Sequence, residues 1–294
     1  MKILVLGASG LLGHAIFTEL VDYGLDVYGS VRDSEKFKDI LPAEYFKRLV
    51  DGVNANDFST IEKAALKLWP DVIINCIGLI RQKEEGREAL PCIEINARFP
   101  HLLFSLSRGM RCRLIHYSTD CVFDGKKGAP YVEGDYCSAK DVYGISKFLG
   151  EVTFPRALTL RTSVIGHELF GETNGLLEWF LSQEGEVAGF VRAIFSGLPA
   201  VEHARILYKH ILPSGLHGLY QLASSPISKY DLLRLMAKVY GKETLIQPND
   251  FIVEDKTLSG EKFFQFTDYV APPWPDLMTS QYNSYLAHKR LYHV

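Results

Sequence analysis

Tyr143 and Lys147 stand four residues apart in Tyr-Gly-Ile-Ser-Lys, a spacing that puts a phenol and an ammonium on one face of a helix. A free phenol loses its proton near pH ~10, about 3 units above neutrality. A lysine charge about 5 Å away, at an effective dielectric near 20, contributes about 3 kcal/mol, or roughly 2 units. The pair is therefore expected to make Tyr143 a general acid near working pH. Upstream, His116-Tyr117-Ser118-Thr119-Asp120 ends an apolar run, and Thr119 precedes Tyr143 by 24 residues. In a doubly wound sheet the C-terminal strand ends line the ligand crevice. A Thr119 hydroxyl placed there can hydrogen-bond the carbonyl oxygen that Tyr143 protonates.

A second constellation opens the chain. Gly7-Ala8-Ser9-Gly10-Leu11-Leu12-Gly13 follows the first apolar run and enters an amphipathic segment. Glycines there allow a tight turn and let backbone amides approach a pyrophosphate at a helix N-terminus. The predicted dinucleotide site therefore includes Gly7, Ser9, Gly10, Leu11, Leu12 and Gly13. The second strand ends in Val27-Tyr28-Gly29-Ser30-Val31-Arg32, with Asp26 at its other end. An acidic residue at the C-terminal end would accept from a ribose 2′-hydroxyl, whereas Ser30 and Arg32 suit a 2′-phosphate. NADPH is preferred over NADH.

These residues, with Val122-Phe123-Asp124-Gly125, Glu133 and Gly150-Glu151, resemble an extended short-chain dehydrogenase/reductase of the dTDP-4-dehydrorhamnose reductase branch, most strongly from 1 to 166. The resemblance implies a catalytic set of Thr119, Tyr143 and Lys147, completed by Asn96. It also implies cofactor contacts at Cys76, Ile77 and Gly78, and a Lys147 that holds the nicotinamide ribose. The expected reaction is reduction, in polysaccharide biosynthesis, of the C4 ketone of a nucleotide-activated 4-keto-6-deoxy sugar. The nucleotide diphosphate is expected on the second lobe near Arg192 or His203, and a homodimer through the helices starting near 97 and 143. The chain departs from the family pattern at Ala139-Lys140-Asp141-Val142, at Val164 in place of a tryptophan, at Pro199-Ala200 and at Cys121 in place of a tyrosine. Cys121, with His167, is similar to the pair of GDP-fucose synthases, which epimerise before reducing; against this, Cys121 suits a small buried position and His167 a polar loop. A regulatory subunit of methionine adenosyltransferase, which binds cofactor without catalysis, is the other reading.

The elements that must hold these groups alternate in period. Short runs at Lys2–Leu6, Leu25–Val31, Arg48–Val50, Asp71–Ile77, Arg113–Ser118 and Ala157–Arg161 read as strands. Helical segments at Leu11–Tyr23, Ser59 to Pro70, Ile95–Ser107 and Tyr143–Val152 separate them, the second opened by a Ser59-to-Glu62 capping box. This predicts an α/β fold with a doubly wound parallel sheet of the Rossmann type over residues 1–163. Helices at Gly175–Ser182 and Val201–Ile211, a strand at Leu219–Leu222 and a capped helix at Ser228–Tyr240 follow. Residues 206–240 are expected to return to the first domain, leaving 164–205 and 241–294 as a smaller substrate lobe. Ala271-Pro272-Pro273-Trp274-Pro275 is expected to be irregular.

Composition excludes other classes. The 294 residues carry 32 Lys+Arg against 35 Asp+Glu, a net charge of −3 without a long run of one sign, unlike a polybasic nucleic-acid or membrane-surface binder. No apolar stretch is long enough to span a bilayer, and glycines interrupt the first apolar run too early for a signal peptide. Five cysteines and nine histidines show no metal-ligand spacing. Free thiols point to a reducing cytosol and a cytoplasmic protein.

Overall fold

The alternation builds a seven-stranded parallel sheet in the computed structural model, which describes residues 1–292. β1 (Lys2–Leu6) leads through α1 (Leu11–Asp22) to β2 (Asp26–Ser30), then through a short α2 (Ala43–Phe46) to β3 (Leu49–Val50). α3 (Phe58–Leu68) returns the chain to β4 (Val72–Asn75). A continuous helical run follows: α4 (Ala89–Cys92), a π-helical stretch at Ile93–Arg98 and α5 (Phe99–Met110). β5 (Arg113–Tyr117), α6 (Val142–Leu149) and β6 (Ala157–Arg161) complete the first part.

Strand order is β3-β2-β1-β4-β5-β6, extended by a later strand, β10. The order reverses between β1 and β4, so the loops after these two strands flank the switch-point crevice. Alternate residues of β1 enter separate cores: Ile3 and Val5 pack with Phe17, Leu158 and Met236 on one face. Leu4 and Leu6 pack with Ile61, Phe99 and Leu103 on the other. Covering on both faces explains the near-continuous apolar strands.

The second part begins with β7 (Val164–Ile165), α7 (Leu176–Ser182), β8 (Glu186–Phe195), β9 (Leu198–Pro199) and α8 (Ala200–Ile206). It continues with β10 (Gly218–Gln221), β11 (Ile227–Ser228), α9 (Lys229–Tyr240), β12 (Leu245–Asp255), α10 (Glu261–Thr267) and α11 (Trp274–Ala287). β10 joins the large sheet beside β6, whereas α9 lies on a small sheet of order β11-β8-β12. Ser228 caps α9 by accepting from the Asp231 N–H, and Gly241 closes it in the left-handed region. No helix among the described residues is long and apolar enough to cross a membrane.

Four local readings change. Asp57 caps α3 by accepting from the Ser59 N–H at 3.1 Å, so Ser59 lies inside the first turn. The helix expected over Ile95–Ser107 begins at Ala89 and carries the π-helical stretch around Asn96. β8 and β12 have no counterpart among the expected strands, and β12 carries Pro248, Asn249 and Asp250, which disfavour a strand. β12 tolerates them as an edge strand whose register shifts between Asn249 and Val253. The Ala271–Pro275 segment is the entrance to α11, with Pro275 in its first turn, where no amide is needed.

Candidate active site

The loop after β1 is shaped by what cannot fit. Gly7 has φ +83°, and a Cβ on it would lie 2.9 Å from the Ile77 side chain. A Cβ on Gly13 would stand 2.0 Å from the Gly7 carbonyl oxygen. The loop therefore folds tightly onto the start of α1 and against Cys76-Ile77-Gly78 after β4. Gly10 is the N-cap of α1 and supplies no side-chain cap, leaving first-turn amides at Leu11, Leu12 and Gly13 free for an anion. Ser30 is buried and its hydroxyl accepts from the Gly7 N–H at 3.1 Å, so it holds the loop. From the back, the His14 ring meets the Gly10 carbonyl at 2.9 Å and the Tyr292 hydroxyl at 2.9 Å; burial pulls its pKa down to about 4. A dinucleotide pyrophosphate fits this cradle. Arg32 lies exposed just past β2 and forms no ion pair among the described residues. Gly13→Ala is expected to raise the dinucleotide dissociation constant roughly 10- to 100-fold, the cost of overpacking by one methyl. Titration of cofactor fluorescence reads this, with circular dichroism showing the sheet intact.

At the far end of the crevice, α6 brings Tyr143 to the end of β5. Asp141 caps α6 by accepting from the Gly144 N–H at 2.9 Å. Gly144 permits the approach, since a Cβ there would lie 2.3 Å from the Cys121 carbonyl oxygen. The Tyr143 phenol thereby comes to lie near the Thr119 side chain. Thr119 is buried, accepts from the Cys121 N–H at 3.1 Å and donates to Asp120 at 3.1 Å. Asn96 is buried on the π-helical stretch. Its Oδ1 accepts from the Leu79 N–H at 2.9 Å, and its Nδ2 donates to the Leu79 carbonyl and to Ser146 Oγ, each at 3.3 Å.

The electrostatics differ from the expected pairing. Burial pushes the Tyr143 phenol above its ordinary range, with Asp120 adding to the effect and the nearby Thr119 hydroxyl opposing it. Lys147 is not among the groups that shift the resting phenol; its Nζ donates to the Tyr117 carbonyl at 2.7 Å. Burial pulls Lys147 itself down to about 8, against the opposing pull of Glu151. Tyr143 is thus a firmly protonated phenol at neutral pH, a donor to a strong base rather than a pre-acidified one. Beneath α6, Glu151 and Arg161 form a buried two-pronged ion pair at 2.8 Å, and Ser118 Oγ donates to the same carboxylate.

Other expected residues lie elsewhere. The His167 ring is gripped by Glu178 and the Tyr240 hydroxyl and stacks on Tyr285. These partners leave it no role beside Cys121, whose neighbours are Thr119, Asp120, Tyr143 and Lys256. His203 is wholly buried edge-on against Tyr117, with its pKa pulled down to about 3, so it offers no charge to a phosphate. Arg192 is exposed on β8. Sequence reading missed Lys256, whose Nζ reaches Cys121 Sγ at 3.9 Å. It also missed Arg81, which with Arg87, Lys140 and Tyr143 lines a cleft of about 560 Å³. Neither sits in a recognisable motif.

A family model described as the RmlD substrate binding domain matches residues 1–185. The dTDP-4-dehydrorhamnose reductase of Burkholderia thailandensis is 29% identical over 167 residues, which cover 55% of this chain and 50% of that enzyme. The probable low-salt glycan biosynthesis reductase Agl14 of Haloferax volcanii is 28% identical over 262 residues, covering 84% and 83% of the two chains. In three dimensions, the dTDP-4-dehydrorhamnose reductase of Bacillus anthracis, solved in complex with NADP, superposes with a TM-score of 0.78. It is 18% identical, with 97% of this chain and 100% of that chain covered.

Proposed function

The chain belongs to the RmlD substrate binding domain family, an oxidoreductase branch of the extended short-chain dehydrogenases/reductases, and from that premise we propose that it reduces, with NADPH, the C4 ketone of a nucleotide-activated 4-keto-6-deoxy sugar. The observation that carries this reading is the nearness of Tyr143 to Thr119 at the end of β5, with Lys147 one helical turn on reaching Gly78, in the loop against which the glycine cradle folds. NADPH held there supplies a hydride.

Everything else falls to the chain's own residues. A substrate carbonyl that accepts from the Tyr143 phenol is polarised further when the Thr119 hydroxyl turns its proton from Asp120 to the same oxygen. Because Tyr143 is fully protonated, it can hand its proton to the developing alkoxide, which is a far stronger base than a phenolate. Lys147, cationic below about pH 8, offsets the phenolate left behind and is placed to hold the nicotinamide ribose. Asn96, locked onto Leu79, keeps α5 against α6 and fixes the wall behind Lys147. The gripped His167 argues against the epimerase-reductase reading. Exposed Ile145, Phe148 and Leu149 on α6, beside Leu90 and Ile93, supply an apolar face that supports pairing of two copies.

The free Arg32 side chain supports NADPH over NADH. Arg32→Glu is expected to weaken NADPH binding by about 10- to 100-fold, the range for a lost charge-assisted hydrogen bond. NADH binding should stay within a few-fold, and parallel fluorescence titrations decide it. The reaction itself is tested by following NADPH oxidation with a panel of dTDP-, GDP- and UDP-linked 4-keto-6-deoxy sugars. Turnover of at least one is expected. An NADPH-binding protein that reduces none of them would contradict the proposal and favour the regulatory-subunit reading.

A further inference from the structure

Lys256 belongs to no motif, yet the fold goes to some length to place it. It follows β12 in the second part of the chain, and its neighbours are pinned to the loop that carries Cys121. The Tyr131 N–H donates to the Thr257 carbonyl and the Ser259 N–H to the Tyr131 carbonyl, each at 2.8 Å. The Leu258 N–H donates to Ser196 Oγ at 3.0 Å. The ammonium donates to Glu254 at 2.7 Å and reaches Cys121 Sγ at 3.9 Å, with its side chain only 11% exposed.

An ammonium has three donors, and a thiol is a weak acceptor, so one carboxylate oxygen leaves Lys256 short of partners. Burial opposes its charge, but the Glu254 and Asp120 carboxylates outweigh that and keep it cationic, while burial raises the Cys121 thiol to about 12 and leaves it neutral. Cys121 is in turn an electrostatic neighbour of the Tyr143 phenol. A cation with spare donors therefore stands against Cys121, the residue whose N–H meets Thr119 Oγ1 and whose carbonyl faces Gly144 beside Tyr143, and it comes from the part of the chain that does not bind the dinucleotide.

We propose that Lys256 is a specificity-determining residue that donates a hydrogen bond to the C3 hydroxyl of the bound sugar. The assignment rests on the function proposed above. With the C4 oxygen between Thr119 and Tyr143, the flanking ring carbons are C3 and C5. In a 4-keto-6-deoxy sugar C3 bears a hydroxyl and C5 a methyl group. The ammonium gains only from the former, so it fixes which way round the ring lies and disfavours sugars that lack an oxygen at C3.

Steady-state kinetics on a 4-keto-6-deoxy sugar nucleotide and its 3-deoxy counterpart tests this with wild type, Lys256→Met and Lys256→Arg. Lys256→Met should raise KM for the hydroxylated substrate roughly 10- to 100-fold, the range of a hydrogen bond to a charged group. Its kcat should change less, its KM for the 3-deoxy substrate little, and its NADPH dissociation constant not at all. Lys256→Arg should recover most of the loss, and the penalty should fall on the hydroxylated substrate alone, whereas a merely structural role would weaken both substrates alike. If wild type turns over the substrate and Lys256→Met keeps the same preference for the C3 hydroxyl, the assignment is wrong while the proposed function stands. If wild type reduces no 4-keto sugar nucleotide, the proposed function falls and takes this assignment with it.

Discussion

Tyr143→Phe is expected to lower kcat by about a thousandfold, inside the roughly 10²- to 10⁴-fold range of a positioned general acid, while NADPH binds as before. The change removes one oxygen from a residue that contacts Thr119, and leaves the glycine cradle and the α6 cap untouched. KM for the sugar nucleotide should move far less than kcat, because the proton is demanded only as the alkoxide forms. The pH profile gives an independent reading. In wild type, kcat/KM should fall as pH rises through about 8, where the buried Lys147 ammonium loses its proton. Below that pH the cation is present and the profile should be flat until other groups titrate. Tyr143→Phe leaves no phenolate to offset, so its residual rate should lose that limb. Stopped-flow and steady-state rates across pH, with cofactor titrations alongside, separate these outcomes.

The second large effect concerns stability. Glu151→Leu is expected to destabilise the protein by about 3–5 kcal/mol, because Arg161 is left charged and buried without its partner. The side chains of Arg161 and Glu151 are only 2% and 5% exposed, so water cannot replace the lost carboxylate. For a chain of this size that corresponds to a melting temperature lower by roughly 10 °C. Glu151→Gln keeps a hydrogen-bond acceptor and should cost less. The double variant Glu151→Leu, Arg161→Met removes both charges and should recover much of the loss, as buried pairs replaced by apolar residues often do. Calorimetry on these proteins and on Arg161→Met alone measures the coupling. Glu151 also helps to hold the proton on Lys147, so in Glu151→Gln the alkaline limb of kcat/KM should move to lower pH.

Local patterns carried the fold where strands were buried on both faces, since apolar runs and glycine turns follow directly from burial and from sterics. β1, α1, β5 and β6 sit within a residue or so of their predicted ranges for that reason. Patterns failed where tertiary context overrode them. β12 survives Pro248 only because its partner lies on one side, and the π-helical stretch at Asn96 depends on contacts to Leu79 and Ser146 that no spacing announces. In the site, the helical spacing of Tyr143 and Lys147 put both in the crevice but misjudged their energetics. Coulomb's law between two side chains omits the burial of both the phenol and the ammonium. His203 looked available because its sequence neighbours are polar and charged, yet it packs against Tyr117. Lys256 was invisible because it is brought to Cys121 by chain pairing across 135 residues.

The central claim is that the glycine cradle and the Thr119–Tyr143 pair serve one ketone. Deuterium placed on the reactive carbon of NADPH, followed by NMR of the sugar nucleotide product, tests it most directly. Label is expected on C4 of the sugar, in one configuration, with Tyr143→Phe forming the same product far more slowly. Label that stays in the dinucleotide pool, appears at another sugar carbon, or transfers at an undiminished rate in Tyr143→Phe would contradict it.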